Sequence, residues 1–223
     1  MGSWVCKFFS ACVTQTRLVK DQGGLTCDNR NHMINIVIIS NKKYLVDVGF
    51  GSNGITHPIP LEDGHVFPCV HPVRGKLEYR SISQHSDPSQ RLWVYLSQEN
   101  ETAPWKELYA FSDVEFFPAD FEVLNLSTMT SPRSYFVQSV MCMKTILPED
   151  EEERKNGPIG LLILHKDYVK RRIGAESEVV ERLSTEADRI NALEKYFGIS
   201  LSPEEQKAIR GMASELKGRN DHL

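Results

Sequence analysis

His32-Met33-Ile34-Asn35-Ile36-Val37-Ile38-Ile39-Ser40-Asn41-Lys42-Lys43-Tyr44-Leu45-Val46-Asp47-Val48-Gly49-Phe50-Gly51 is the stretch whose reading decides how this chain folds. Two runs rich in β-branched residues flank Ser40-Asn41, and Asn is one of the few non-Gly residues that tolerates the positive φ of a tight hairpin turn. With Ser40 and Asn41 as the turn, Ile39 faces Lys42 and opposed residues have numbers summing to 81. Asp47 then lies opposite Ile34, and His32 opposite Gly49. Residues two apart along a strand share a face, so His32 and Asp47 become diagonal neighbours with Cβ atoms roughly 7 Å apart or less. A three-residue loop would flip one strand's faces and separate them. A His held by an Asp at the end of a hairpin is two-thirds of a nucleophilic triad, and an Asp on a strand of Leu45, Val46 and Val48 needs a partner, because an unpaired buried carboxylate is costly.

The rest of the composition sets bounds. At 223 residues the chain has ample length for a core, and hydrophobic content of 40% with charged content of 25% is ordinary for a soluble globular protein. A formal charge of −4, with no basic cluster longer than Val169-Lys170-Arg171-Arg172, argues against a nucleic-acid partner. No apolar run approaches the ~20 residues of a membrane helix, and Met1 to Lys20 lacks the pattern of a signal peptide. Five cysteines, Cys6, Cys12, Cys27, Cys69 and Cys142, are odd in number and irregularly spaced, without a CxxC pair. They read as free thiols in a reducing cytosol with no metal site.

Along the chain, Trp4 to Val13 reads as a short apolar helix or strand and Gln22 to Asn31 as a loop. Gly49, Gly51 and Gly54 bend the backbone sharply after the hairpin or bring it close to a ligand. Short β-like runs at Leu77 to Ile82, Leu92 to Leu96 and Leu108 to Phe111 predict an antiparallel sheet or small barrel. Pro118 opens a helix that ends before Ser131-Pro132. Tyr135 to Leu147 reads as a strand, Glu149 to Glu153 as a solvated acidic loop, and Gly160 to Leu164 with Tyr168 to Ile173 as further strands. Two helices close the chain. One runs from Thr185 to Phe197 with Gly198 as C-cap; the other opens on the capping box Ser202-Pro203-Glu204-Glu205 and carries the stripe Ile209, Met212 and Leu216.

Several of these segments resemble the arylamine N-acetyltransferase family, its fungal variants most. They are His32 to Val37, Tyr44 to Gly51, Phe116 to Val123, Ser131 to Ser134, Val169 to Ile173 and Leu193 to Ile199, so that the resemblance covers roughly Asn31 to Leu216. It implies an α+β fold of the papain-like cysteine-proteinase superfamily, with an antiparallel β-barrel followed by an α/β lid. The helical domain that opens the family's fold is expected to be largely missing. The implied division is residues 1–31 as a remnant or divergent N-terminal segment, 32–115 as the barrel carrying the His/Asp pair, and 116–223 as a helical linker and lid.

The chemistry implied is ping-pong acyl transfer and xenobiotic detoxification. A Cys takes an acyl group from acetyl- or malonyl-coenzyme A and passes it to an arylamine or arylhydrazine, without a metal, in the cytoplasm. By this resemblance His32 holds the Cys as a thiolate, Asp47 orients His32, Phe50 lines the acceptor pocket, and Gly49 and Gly51 let the backbone pass close to the acyl group.

One feature departs from the family pattern. The family nucleophile lies in an Arg-Gly-Gly-x-Cys motif several tens of residues before the His, and only 31 residues precede His32. Gln22-Gly23-Gly24-Leu25-Thr26-Cys27 imitates the motif but is one residue longer, has Gln for Arg, and ends five residues before His32. Two other readings follow: a non-catalytic paralogue or fragment that binds coenzyme A, an arylamine or a partner protein, and a transglutaminase- or peptidase-like relative with the same Cys-His-Asp order.

Overall fold

The structure, a computed structural model, describes residues 5–13 and 29–218. It divides into two units, residues 1–125 and 126–223.

In the first unit, β1 (Val5–Val13) and β2 (Asn29–Ile39) pair antiparallel, and β2 turns back into β3 (Lys42–Val46). The β2–β3 ladder joins Ile39 to Lys42 and Asn35 to Val46, the sum-of-81 register. Ser40 (φ 47°) and Asn41 (φ 63°) both adopt the left-handed conformation that a two-residue hairpin turn requires. The sheet continues through β4 (Ile59–Pro60), β5 (Val66–Pro68), β6 (Arg74–Arg80), β7 (Leu92–Gln98) and β8 (Lys106–Glu115), in the order β4-β3-β2-β1-β8-β7-β6-β5.

Its two edges meet in one core. Ile59 of β4 and Phe67 of β5 belong to the same buried cluster as Ile34, Ile36, Leu45, Leu77, Tyr95, Tyr109 and Phe111. A flat sheet would hold its edge strands apart, so the eight strands curl around this cluster in the manner of a barrel. Burial of each large apolar side chain contributes about 1.5–3 kcal/mol, and Ile34, Leu45 and Ile59 are wholly buried.

Helix α1 (Pro118–Thr130) follows, with Val123, Leu126 and Met129 exposed. In the second unit the expected strand from Tyr135 divides. Tyr135–Gln138 forms a helical turn, α2, and the strand β9 spans only Met141–Ile146. The preceding Ser131-Pro132 segment folds back on itself, Ser134 Oγ donating to the Thr128 carbonyl, so the chain enters as a turn rather than extended.

The acidic run is a single exposed helical turn, α3 (Glu151–Arg154), capped by Asp150, whose carboxylate accepts from the Glu152 and Glu153 amides. Strands β10 (Gly160–His165), β11 (Tyr168–Ile173) and β12 (Glu176–Arg182) complete a sheet ordered β12-β11-β10-β9. The edge strand β12 reads Glu-Ser-Glu-Val-Val-Glu-Arg, charges that protect an open edge and hide it from a hydrophobic-pattern reading.

Helix α4 (Glu186–Ala192) is opened by a Thr185/Asp188 capping box and runs on as a wider turn to Phe197, where Gly198 (φ 70°) stops it. Leu164 and Val169 pack with Leu183 and Ala192, and with Leu193, Phe197 and Leu216 at their rim. The last helix, α5 (Pro203–Ala208), is shorter than its apolar stripe suggests: Gly211 turns at φ 78° and Met212 is exposed.

The Gly75 position is sterically demanding. A Cβ there would lie 2.2 Å from Phe67 Cε2, and Phe67 is held between the rings of His65 and Tyr95. Gly75→Ala is therefore expected to destabilise the first unit by about 1–3 kcal/mol through overpacking, read as a lowered urea midpoint. An unchanged midpoint would mean that Phe67 moves freely.

Candidate active site

The pair at the hairpin end is bonded. His32 Nε2 lies 2.8 Å from Asp47 Oδ2, with the His32 side chain 14% and the Asp47 side chain 0% exposed. A carboxylate only accepts, so Nε2 carries the proton and Nδ1 is the nitrogen available to a nucleophile. The second Asp47 oxygen, Oδ1, accepts from the Gly49 amide at 2.9 Å. The hairpin register thus brings the two side chains together, and the turn after β3 satisfies the rest of the carboxylate.

Phe50 packs edge-on against His32, with centroids 5.5 Å apart, and against Tyr109 at 4.9 Å. Tyr109 flanks His32 at 5.7 Å. The Phe50 and Tyr109 rings form an apolar wall beside the imidazole. Gly51 stands at φ 91°, a conformation that favours glycine, and the Gly54 amide donates to the Gly51 carbonyl at 3.0 Å to close the turn. Gly49 has no comparable steric demand: a Cβ there would sit 3.5 Å from His32 Cε1, ordinary contact.

Tyr109 was legible only as part of a strand, 62 residues after Asp47 in the numbering of the chain. Burial, and then the negative field of Asp47, hold its phenol well above the usual 10. The hydroxyl is buried beside the Asp47 carboxylate and, among the described residues, has no partner in good hydrogen-bond geometry. Tyr95, also unmarked in the sequence, donates its hydroxyl hydrogen to the Asn53 carbonyl at 2.7 Å.

The described thiols are unlike nucleophiles. Burial raises the Cys69 thiol, which lies 3.5 Å from the Tyr95 hydroxyl, and burial likewise raises Cys142. An acyl-accepting cysteine needs the opposite shift. In the β1 ladder Ala11 stands opposite His32, Cys12 opposite Arg30 and Cys6 opposite Val37. Cys27 lies outside the described residues. Among the described residues, no cluster of three or more His, Cys, Asp and Glu side chains is placed to hold a metal, and no helix is long and apolar enough to cross a membrane.

A curled antiparallel sheet with a buried His–Asp pair at a hairpin end, followed by a second α/β unit, is consistent with the papain-like fold expected from the resemblance. Solved structures agree. The chain is similar to the arylamine N-acetyltransferase from Mycobacterium abscessus with a TM-score of 0.70 at 18% identity, covering 92% of this chain and 64% of that one. It is similar to the Mycobacterium marinum arylamine N-acetyltransferase in complex with CoA with a TM-score of 0.65 at 21% identity, covering 88% and 63%.

In sequence, the N-malonyltransferase FDB2 of Fusarium pseudograminearum is 37% identical over 199 residues, which are 86% of this chain and 57% of that protein. The N-acetyltransferase family model matches residues 7–206. The chain belongs to the arylamine N-acetyltransferase family. It spans little more than half the length of the curated fungal relative, and the family match begins inside β1, earlier than the motifs around His32 alone indicate.

Asp47→Ala removes the acceptor of both His32 and the Gly49 amide and is expected to cost about 1–3 kcal/mol. Chemical denaturation reads this directly, and an unaltered midpoint would contradict the pairing.

Proposed function

We propose that this chain carries out acyl transfer from acyl-coenzyme A to the amine of an arylamine or arylhydrazine. The observation that carries the reading is the 2.8 Å bond from His32 to a wholly buried Asp47. In the proposed first half-reaction a cysteine thiol gives its proton to His32 Nδ1 and attacks the thioester carbonyl, and coenzyme A leaves as its thiol. Asp47, accepting from Nε2, holds the ring in place and stabilises the imidazolium that forms. In the second half-reaction the amine attacks the acyl-cysteine, and His32 takes its proton and returns one to the departing thiol. Phe50 and Tyr109 supply an apolar wall suited to the flat face of an aryl amine.

Kinship to a protein named N-malonyltransferase favours malonyl over acetyl as the transferred group, and a relative solved in complex with CoA supports a coenzyme A donor. Detoxification of arylamines in a reducing, cytoplasmic setting fits this chemistry and the free thiols of Cys69 and Cys142. No metal is required for any step.

A second reading, a non-catalytic member that binds coenzyme A, an arylamine or a partner, is favoured by one observation. The two cysteines with described side chains both have raised thiol pKa values.

Intact-mass measurement after incubation with malonyl- and acetyl-coenzyme A separates the readings. A thioester adduct, mapped to one cysteine and transferred to an arylamine, is expected under the first. His32→Ala should then lower the transfer rate by roughly 10²–10⁴-fold. Absence of both adduct and acylated amine would leave the binding reading.

A further inference from the structure

The segment that carries Phe50 is held at two points, and the second lies outside the His–Asp pair. At its start the Gly49 amide is fixed on Asp47 Oδ1; at its end the Asn53 carbonyl accepts from Tyr95 Oη at 2.7 Å. We propose that Tyr95 is a positioning residue: its hydroxyl latches the 49–54 turn to the barrel and so sets the Phe50 ring against His32 and Tyr109. This rests on the reading above, in which Phe50 lines the acceptor site.

The direction of each bond is forced. A backbone carbonyl only accepts, so the Tyr95 O–H donates to Asn53. The remaining contact at the phenol oxygen, 3.5 Å to Cys69 Sγ, is then a thiol donating to the phenol. Burial raises the thiol, so it keeps its proton. The phenol is likewise held protonated by burial.

The ring cannot swing away. Tyr95 is wholly buried, stacks on Phe67 at 5.9 Å with 16° between planes, and meets Tyr109 at 5.1 Å. It stands on β7, the centre of the curled sheet's second half, paired with Leu77 on one side and Tyr109 on the other. A rigid strand residue therefore holds a turn that has few other bonds. Within 49–54 the only other turn bond among the described residues is Gly54 N–H to the Gly51 carbonyl at 3.0 Å. Phe50 lies close to the turn's end: a Cβ added at Gly54 would come within 3.4 Å of Phe50 Cβ, so a displacement there is felt at Phe50. Latch, turn and aromatic wall form one mechanical path from β7 to the imidazole.

The decisive variant is Tyr95→Phe, which keeps both ring contacts and removes only the hydroxyl. Amide hydrogen exchange of the full chain is the primary measurement, because it does not depend on catalysis. Exchange at residues 49–54 should rise about tenfold, the equivalent of one lost hydrogen bond, while amides of β6 to β8 stay within twofold of wild type. Asn53→Ala, which keeps the carbonyl, should leave exchange at 49–54 as in wild type.

Where the wild-type chain acylates amines, Tyr95→Phe should raise KM for the arylamine several-fold and leave the rate of thioester formation unchanged. Unchanged exchange at 49–54 in Tyr95→Phe overturns the latch, as does an equal rise across the whole sheet. An inactive wild type with the local exchange response overturns the acyl-transfer reading and keeps the latch.

Discussion

A carboxylate at the bottom of an apolar sheet is the constraint on which this structure turns. Asp47 has no exposed side-chain surface, and a charge withdrawn from water in this way persists only where its oxygens find donors. Both do. His32 supplies one donor across the hairpin and the backbone of Gly49 supplies the other within the following turn. The demand of a single carboxylate therefore fixes two things together: the rotamer of the imidazole and the entry angle of the turn that carries Phe50.

Around that pair the first unit places aromatic rings in a continuous series. His65 stacks on Phe67, Phe67 on Tyr95, Tyr95 meets Tyr109, and Tyr109 meets both Phe50 and His32. Rings of this size contribute large buried areas and have few rotamers, so the series is stiff as well as apolar. It also lowers the local dielectric at the imidazole, which strengthens the His32–Asp47 attraction relative to water. Gly75 is the void this series needs, since any side chain there would strike Phe67.

The hairpin was legible in the sequence because its information is local. Ser40-Asn41 dictates the turn, the turn dictates the register, and the register puts His32 and Asp47 on one face. The barrel strands β6, β7 and β8 were visible for the same reason, as short runs of branched and aromatic residues. Other elements were not. Strand β12 is hidden by its charges, and Tyr135 reads as strand although the turn before it bends the chain into a helical loop. The stripe Ile209, Met212 and Leu216 suggests a longer helix than α5 because the periodicity ignores the left-handed Gly211.

By itself the sequence determined the hairpin, its register and the pairing of His32 with Asp47. These follow from residues within 20 positions of one another, where turn geometry leaves little freedom. Only the tertiary structure decided that Tyr109 and Tyr95 belong to the same site. They reach it because eight strands curl until β7 and β8 face the turn after β3, and no local pattern records which distant strand will close that gap. The candidate catalytic pair is a product of the hairpin; its surroundings are a product of the curled sheet.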